Sequence, residues 1–267
     1  PTILQMLLNA QGAQGTDFKG WKIIVGGSAL SRTLYRAAKA RGIELTGAYG
    51  MSETGPLVSC AHLDDAAWAG STEERISHRI RAGVPGPLVQ VGIVDEHGRF
   101  LPHDGETQGE LVLRAPWLTG SYLHEPEKGA QLWAQGWLHT GDVATLDSRG
   151  EIDIRDRIKD VIKSGGEWVS SLDLEDLISR HPAVREVAVV GVRDAQWGER
   201  PGAMLVVAAD ADFDAAMLKV HLQPFVDAGT IRPWAIPASL ALVDEIPKTS
   251  VGKLDKKRIR GQLTSFA

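Results

Sequence analysis

The sequence predicts a multidomain α+β chain, and three observations carry that prediction. A strand–helix–strand run near the start ends in two loops. At Arg81 the punctuation changes to short strands split by glycine and proline. Beyond a charge-rich stretch from Gly136 to Ser171, a compact α+β unit begins after Lys159. The architecture expected is therefore the end of a larger α/β subdomain, then a small antiparallel β-barrel or sandwich, then an α+β carboxy-terminal domain.

Pro1 to Asn9 places Ile3, Leu4, Leu7 and Leu8 at helical spacing. Trp21 to Val25 is a short apolar strand that stops at Gly26-Gly27-Ser28-Ala29. Ser31 is placed to cap a helix over Leu34 to Arg41, and Gly42 sits where a helix-ending glycine belongs. Ile43 to Ala48 is a second strand, ending at Tyr49-Gly50-Met51-Ser52-Glu53-Thr54. In an α/β sheet the carboxyl ends of strands are where ligands bind. Cys60 to Ile80 reads as an irregular surface loop and helix. Val89 to Val94, Gly109 to Arg114, Trp137 to Asp147 and Glu151 to Ile154 are strands of the second region, the last two joined by a turn at Asp147-Ser148-Arg149-Gly150. In the last region Ser170 to Asp173 resembles a capping box for a helix over Leu174 to Arg180, stopped by His181-Pro182. Val184 to Val192, Met204 to Ala209 and Ala238 to Val243 are strands, and Phe213 to Val226 is an amphipathic helix. Pro247 to Lys253 is a polar, turn-rich tail before a basic end.

The 267 residues suffice for a full core in one or two domains, and the net charge of −5 with mixed signs gives no nucleic-acid footprint. One cysteine, Cys60, excludes an internal disulfide framework. No apolar run approaches the roughly 20 residues of a membrane span, and no signal-peptide pattern opens the chain, so a cytoplasmic location is expected. Because Pro1 rather than Met comes first, a fragment of a longer polypeptide is expected.

Several stretches can carry chemistry, each beside a plainer explanation. Gly26 to Ala29 would let a planar ring approach the backbone, or is simply a strand-to-helix turn. Tyr49 to Glu53 combines an aromatic for stacking, a hydroxyl for a phosphate oxygen and a carboxylate for Mg²⁺. Asp142, after Thr140-Gly141, can accept two hydrogen bonds from a ribose diol or serve as a turn aspartate. Arg157 and Lys159 are equally explained as solvated charges. Lys253 lies in a flexible tail, where lysines ordinarily do nothing. A mobile lysine is also what a reaction needs when an anion is neutralised at one step and released at the next. The histidines show no ligand spacing.

Tyr-Gly-Met-Ser-Glu-Thr at 49–54, Thr-Gly-Asp at 140–142, Asp-Arg-Ile-Lys-Asp at 156–160 and Pro-Lys-Thr-Ser-Val-Gly-Lys at 247–253, in this order, resemble the adenylate-forming superfamily of acyl-CoA synthetases and luciferases. Lys-Ser-Gly-Gly-Glu-Trp-Val-Ser-Ser at 163–171 resembles its medium- and long-chain fatty acyl-CoA synthetase branch. The resemblance implies the carboxy-terminal half of such an enzyme: the end of the large domain over 1–80, a β-barrel over 81–157, and a mobile lid over 158–267.

It further implies that Gly27, Ser28, Ala29, Ala48, Tyr49 and Gly50 frame adenine. Ser52 would contact the α-phosphate, Glu53 would bind Mg²⁺, and Asp142 and Arg157 would hold the ribose. Lys159 would be the hinge and Lys253 the catalytic lysine of adenylation. Gly165, Gly166 and Glu167 would line the pantetheine route, with Trp168 as a gate to the acyl tunnel. ATP, Mg²⁺ and CoA are the implied cofactor and cosubstrates, a fatty acid the substrate, and a homodimer the expected assembly of the full-length parent. Neither the family's Thr-Gly-x-Pro-Lys-Gly phosphate loop nor most of its acyl-binding subdomain occurs in the sequence, so the chain alone is expected not to turn over. Two rival readings keep the same core: a non-catalytic or complementing module, and a ligase for aryl or other acids.

Overall fold

A computed structural model describes residues 1–209, 211–250 and 252–266, and the chain divides into two compact units, Pro1–Ile158 and Lys159–Ala267. Val251, inside the motif at 247–253, lies outside the described residues.

The first unit opens with helix α1 (Thr2–Asn9), strand β1 (Lys22–Val25), helix α2 (Arg32–Ala40) and strand β2 (Glu44–Tyr49). Strands β1 and β2 pair in parallel, Lys22 opposite Glu44 through Val25 opposite Gly47. The Ser31 hydroxyl caps α2 by accepting from the Leu34 N–H at 3.2 Å. Leu4, Val25, Tyr35, Ala38, Ile43 and Leu45 close a core on one face of this pair, while Ile24, on the other face, is 63% exposed.

The stretch read as irregular is more ordered than expected. It contains strand β3 (Ser59–Cys60), helix α3 (Asp65–Ala69), helix α4 (Thr72–Ile80) and strand β4 (Val84–Pro85). Helix α4 is closed by a reciprocal cap: Glu74 N–H donates to the Ser71 hydroxyl at 3.2 Å, and Ser71 N–H to Glu74 Oε2 at 2.6 Å. Strands β3 and β4 extend the sheet antiparallel in the order β1-β2-β3-β4.

A second, fully antiparallel sheet follows as a half-barrel: β5 (Gln90–Val94), β6 (Gly109–Arg114), β7 (Trp133–Ala134), β8 (Trp137–Leu146) and β9 (Ile152–Arg157). Helix α5 (Pro126–Leu132), which the sequence reading passed over, leads into β7. Ile93, Leu111, Leu113, Leu138, Ala144, Leu146 and Ile152 are fully buried on its inner face. Glu151, 4% exposed, joins the two sheets: Arg81 Nη1 lies 2.6 Å and His78 Nδ1 2.9 Å from its carboxylate.

The second unit begins with a hairpin of β10 (Ile162–Ser164) and β11 (Glu167–Val169). Helix α6 (Ser171–Ser179) follows, capped by Ser170, whose hydroxyl accepts from Asp173 N–H at 3.0 Å. Strands β12 (Val184–Asp194) and β13 (Gly198–Val207) form a long antiparallel pair; β13 starts well before the expected Met204. Helix α7 (Ala215–Asp227), strand β14 (Ser239–Leu242), parallel to β13, and helix α8 (Lys256–Phe266) complete it. Both faces of this sheet are covered. Val189, Ala203 and Leu205 pack with Leu174, Ile178, Leu218 and Leu222 of α6 and α7. The alternate residues Ala188, Val190, Val192 and Met204 pack with Ile259 and Leu263 of α8.

Candidate active site

In the first unit, the loops leaving β1 and β2 lie side by side: a Cβ on Gly26 would stand 2.9 Å from the Ala48 carbonyl oxygen. Gly27, Ser28 and Ala29 are exposed, while Ala48, Tyr49 and Gly50 are half-buried. An exposed Gly-rich edge beside a half-buried aromatic suits a flat ring, the role expected of these six residues.

Tyr49 and Asp142 come together, although 93 positions separate them in the chain. The Tyr49 hydroxyl donates to Asp142 Oδ2 at 2.6 Å. Arg157 stands directly opposite Asp142 in the β8–β9 ladder and donates from Nε to Oδ1 at 3.2 Å. Asp142 is 6% exposed. Burial raises its pKa, and the Tyr49 hydroxyl and Arg157 guanidinium only partly oppose that. A buried carboxylate with two donors already in place is a rigid acceptor with remaining lone pairs, the chemistry a ribose diol requires.

Ser52, Glu53 and Thr54 form one 3₁₀ turn after β2. Ser52 is exposed; Thr54 is fully buried, its hydroxyl accepting from Met51 N–H at 2.9 Å. A second loop holds this turn from outside. Thr119 N–H donates to the Glu53 carbonyl at 2.9 Å, Trp117 Nε1 to the Thr54 carbonyl at 3.0 Å, and the Tyr122 hydroxyl to Glu53 Oε1 at 2.5 Å. Sequence reasoning gave neither Tyr122 nor Trp117 a role. Nothing local announces either, because each acts on a turn more than 60 residues away.

Among the described residues no three His, Cys, Asp or Glu side chains gather to hold a metal. The Glu53 carboxylate nonetheless fits Mg²⁺, which is held by one or two carboxylates together with phosphate oxygens and water. The cation would then depend on a nucleotide for most of its ligands.

The pKa of each of the three tyrosines is raised above its ordinary value. Hydrogen bonding to Glu53 is the first cause for Tyr122, whose pKa is pushed up to about 12. Burial leads for Tyr49, with the Asp142 charge adding to it, and burial leads for Tyr35. In a spectrophotometric titration of the folded chain the Tyr122 phenol should therefore ionise near pH 12 and not near 10, the ordinary value. By linkage, the Tyr122 contribution to stability is fully present below pH 10 and is lost as pH rises through about 12. Comparison with Tyr122→Phe assigns the step: if the variant loses a phenol that ionises near pH 10 in the folded wild type, the Glu53–Tyr122 bond is contradicted.

In the second unit, Lys159 is its first residue. Gly165 (φ +61°) and Gly166 (φ +86°) are the two central residues of the tight β10–β11 turn, with Glu167 and Trp168 exposed on β11. A two-residue hairpin with both φ positive is a type I′ turn, which glycine permits. Trp168 is 44% exposed, and Trp197 lies against Gly165.

Lys253 is exposed, on a loop closed by the Thr249 N–H donating to the Lys253 carbonyl at 2.7 Å and the Lys253 N–H to the Thr249 hydroxyl at 3.2 Å. Beside it Lys248 pairs with Glu186 at 2.8 Å. The loop is anchored and the Lys253 ammonium group forms no ion pair among the described residues.

The AMP-binding enzyme family matches residues 1–123, and the AMP-binding enzyme C-terminal domain matches residues 173–253. The long-chain-fatty-acid–CoA ligase of Thermus thermophilus is 38% identical over all of this chain and 49% of its own length. The 3-methylmercaptopropionyl-CoA ligase of Ruegeria lacuscaerulensis is 38% identical over 98% of this chain and 48% of its own. Among solved structures, the amide bond synthetase McbA from Marinactinospora thermotolerans superposes with a TM-score of 0.84 at 31% identity, over 98% of this chain and 50% of that one. The chain spans about half the length of the curated relatives it matches.

Proposed function

The chain belongs to the AMP-binding, adenylate-forming enzyme family, and from that premise we propose that it is the carboxy-terminal half of an ATP-dependent fatty acyl-CoA synthetase. The carrying observation is Asp142, buried at a strand end with Tyr49 on one oxygen and Arg157 on the other. That arrangement supports ribose binding, with the Gly27–Ala29 and Ala48–Gly50 loops as the adenine cradle and Ser52 beside the α-phosphate. Glu53 would hold Mg²⁺, which when bound neutralises charge at the phosphates. Lys253 would face the charge that builds between carboxylate and phosphate.

The reaction assigned is attack of a carboxylate oxygen on the α-phosphorus with loss of pyrophosphate. The CoA thiol then displaces AMP to give the thioester. Lys159 would be the hinge between 1–157 and the lid, and Gly165, Gly166, Glu167 and Trp168 the elements of the lid that serve the thioester step.

A fatty acid is preferred as substrate because a long-chain and a medium-chain fatty-acid–CoA ligase stand among the relatives. An aryl or other acid is the second reading, favoured by the structural likeness to an anthranilate CoA ligase, at 25% identity and a TM-score of 0.82. The half-length reading has independent support. Parallel strands are ordinarily covered on both faces, yet Ile24 on β1 is 63% exposed, and Ile3 and Met6 on the outer side of α1 are 82% and 67% exposed.

ATP–pyrophosphate exchange with acetate, octanoate, palmitate and benzoate tests the proposal. Silence is expected from the 267-residue chain alone, and exchange with octanoate or palmitate once a polypeptide carrying the phosphate loop is supplied. Exchange with benzoate only would move the assignment to aryl acids. Silence in both forms would favour a non-catalytic module.

A further inference from the structure

We propose that Glu110 is a positioning residue for Asp142: its carboxylate clamps the bulge of β8 at Gly141 and so aims the aspartate. The inference rests on the ribose-binding reading of Asp142 given above.

Strand β8 leaves the regular ladder just where the Thr-Gly-Asp motif lies. Val112 faces His139 and Glu110 faces Val143, so Leu111 alone opposes Thr140, Gly141 and Asp142. Bulges of this kind re-aim a side chain, and they strand backbone groups that the ladder would have paired. Four of these backbone groups have found partners outside the ladder. Gly141, at φ +70°, donates its N–H to Glu110 Oε1 at 3.0 Å. Its carbonyl accepts from Ile158 N–H at 2.9 Å. The Thr140 hydroxyl donates to the Leu111 carbonyl at 2.7 Å and accepts from Asp142 N–H at 3.1 Å.

The second oxygen of Glu110 lies 2.8 Å from His139 Nδ1, and both side chains are mostly buried, 21% and 23% exposed. One carboxylate thus grips the residues two and four places after the start of the bulged strand, His139 from its side chain and Gly141 from its backbone. A surface ion pair would hold only the side chain. The amide bond is what couples Glu110 to the direction in which Asp142 leaves the strand, because Gly141 is its immediate neighbour. A charged acceptor makes that bond about twice as strong as a neutral one would.

AMP binding by calorimetry on this chain, with Glu110→Ala, Glu110→Gln, Asp142→Ala and the double variant Glu110→Ala/Asp142→Ala, separates aim from mere stability. Glu110→Ala is expected to weaken AMP about tenfold. Glu110→Gln keeps an acceptor for the Gly141 amide and should stay within about threefold of wild type. In the Asp142→Ala background, removing Glu110 should cost nothing further, since there is no carboxylate left to aim. Losses that simply multiply would overturn the proposal.

Amide exchange at Gly141, followed by NMR, reads the clamp without nucleotide: Glu110→Ala should speed it at least about tenfold. Unchanged exchange would sink the clamp whether or not AMP binds. A wild-type chain that shows clamped Gly141 exchange but binds no AMP would instead count against the ribose-binding reading alone.

Discussion

Replacing Gly83 by alanine is expected to destabilise the first unit by about 4 kcal/mol, lowering its melting midpoint by about 10 °C or more. Three effects converge there. Gly83 has φ +80°, which costs an L-residue about 1–2 kcal/mol. A Cβ would stand 2.0 Å from the Cys60 carbonyl oxygen, 2.1 Å from its carbon and 2.2 Å from the Ala61 nitrogen. All three are backbone atoms of or beside β3, so no side chain can swing aside. Relief requires moving Gly83, and Gly83 exchanges two hydrogen bonds with Ile152, at 3.2 and 2.8 Å, that tie the first sheet to the half-barrel. Gly27 is the control, with φ +84° and no atom within 4 Å of a built Cβ. Gly27→Ala should show the backbone strain alone, about 1 kcal/mol. Denaturant melts of the two variants decide it; equal losses would mean that the close approach at Gly83 is relieved without effort.

Replacing Lys253 by alanine is expected to lower ATP–pyrophosphate exchange about 10²–10³-fold in whichever form of the protein turns over, the size of losing one preorganised donor to a developing anion. The fold should not notice. Lys253 is exposed, and the loop around it is held by backbone and Thr249 bonds and by the Lys248–Glu186 pair, none of which uses the Lys253 side chain. Unaltered melting with collapsed exchange is the predicted combination. Lys253→Arg, which keeps charge but spreads it over a planar fork, should recover part of the rate. A loss below about threefold would remove Lys253 from the adenylation step.

How much of this was legible depended on whether the signal was local. The β1–α2–β2 run could be read because Ser31 and Gly42 mark both ends of the helix, and the half-barrel because its turns recur between apolar strands. Helix α8 was taken for a basic tail: Lys256, Lys257, Arg258 and Arg260 dominate its composition. Among the described side chains of this helix, Ile259 and Leu263, one turn apart, are those that pack into the core, a stripe too short to announce a helix. Helix α5 hid behind Pro126 and Gly129, although proline at the first turn is a permitted start. The cap of α4 was readable as Ser71 followed three residues later by Glu74, and was passed over because the surrounding stretch is polar.

The site divides in the same way. Asp142, Glu53 and Lys253 stand in short motifs and could be named from them. The Tyr49 hydroxyl on Asp142, the Tyr122 hydroxyl on Glu53 and the Glu110 carboxylate on Gly141 are contacts across 93, 69 and 31 positions. No window of sequence contains both partners. His139 was set aside for lack of ligand spacing, a test suited to metals and blind to a histidine that steadies a carboxylate.

The hydroxyl resting on Glu53 also bears on order of addition. A lone carboxylate whose Oε1 is occupied by Tyr122 offers a solvated divalent ion little to gain by arriving first. Were Glu53 to take the cation only as part of a metal–nucleotide complex, occupancy would track that complex and not the free ion. Excess magnesium would then leave the empty protein unchanged, and the tyrosine would be displaced, or would shift to share the oxygen, only when phosphates arrive with their counterion.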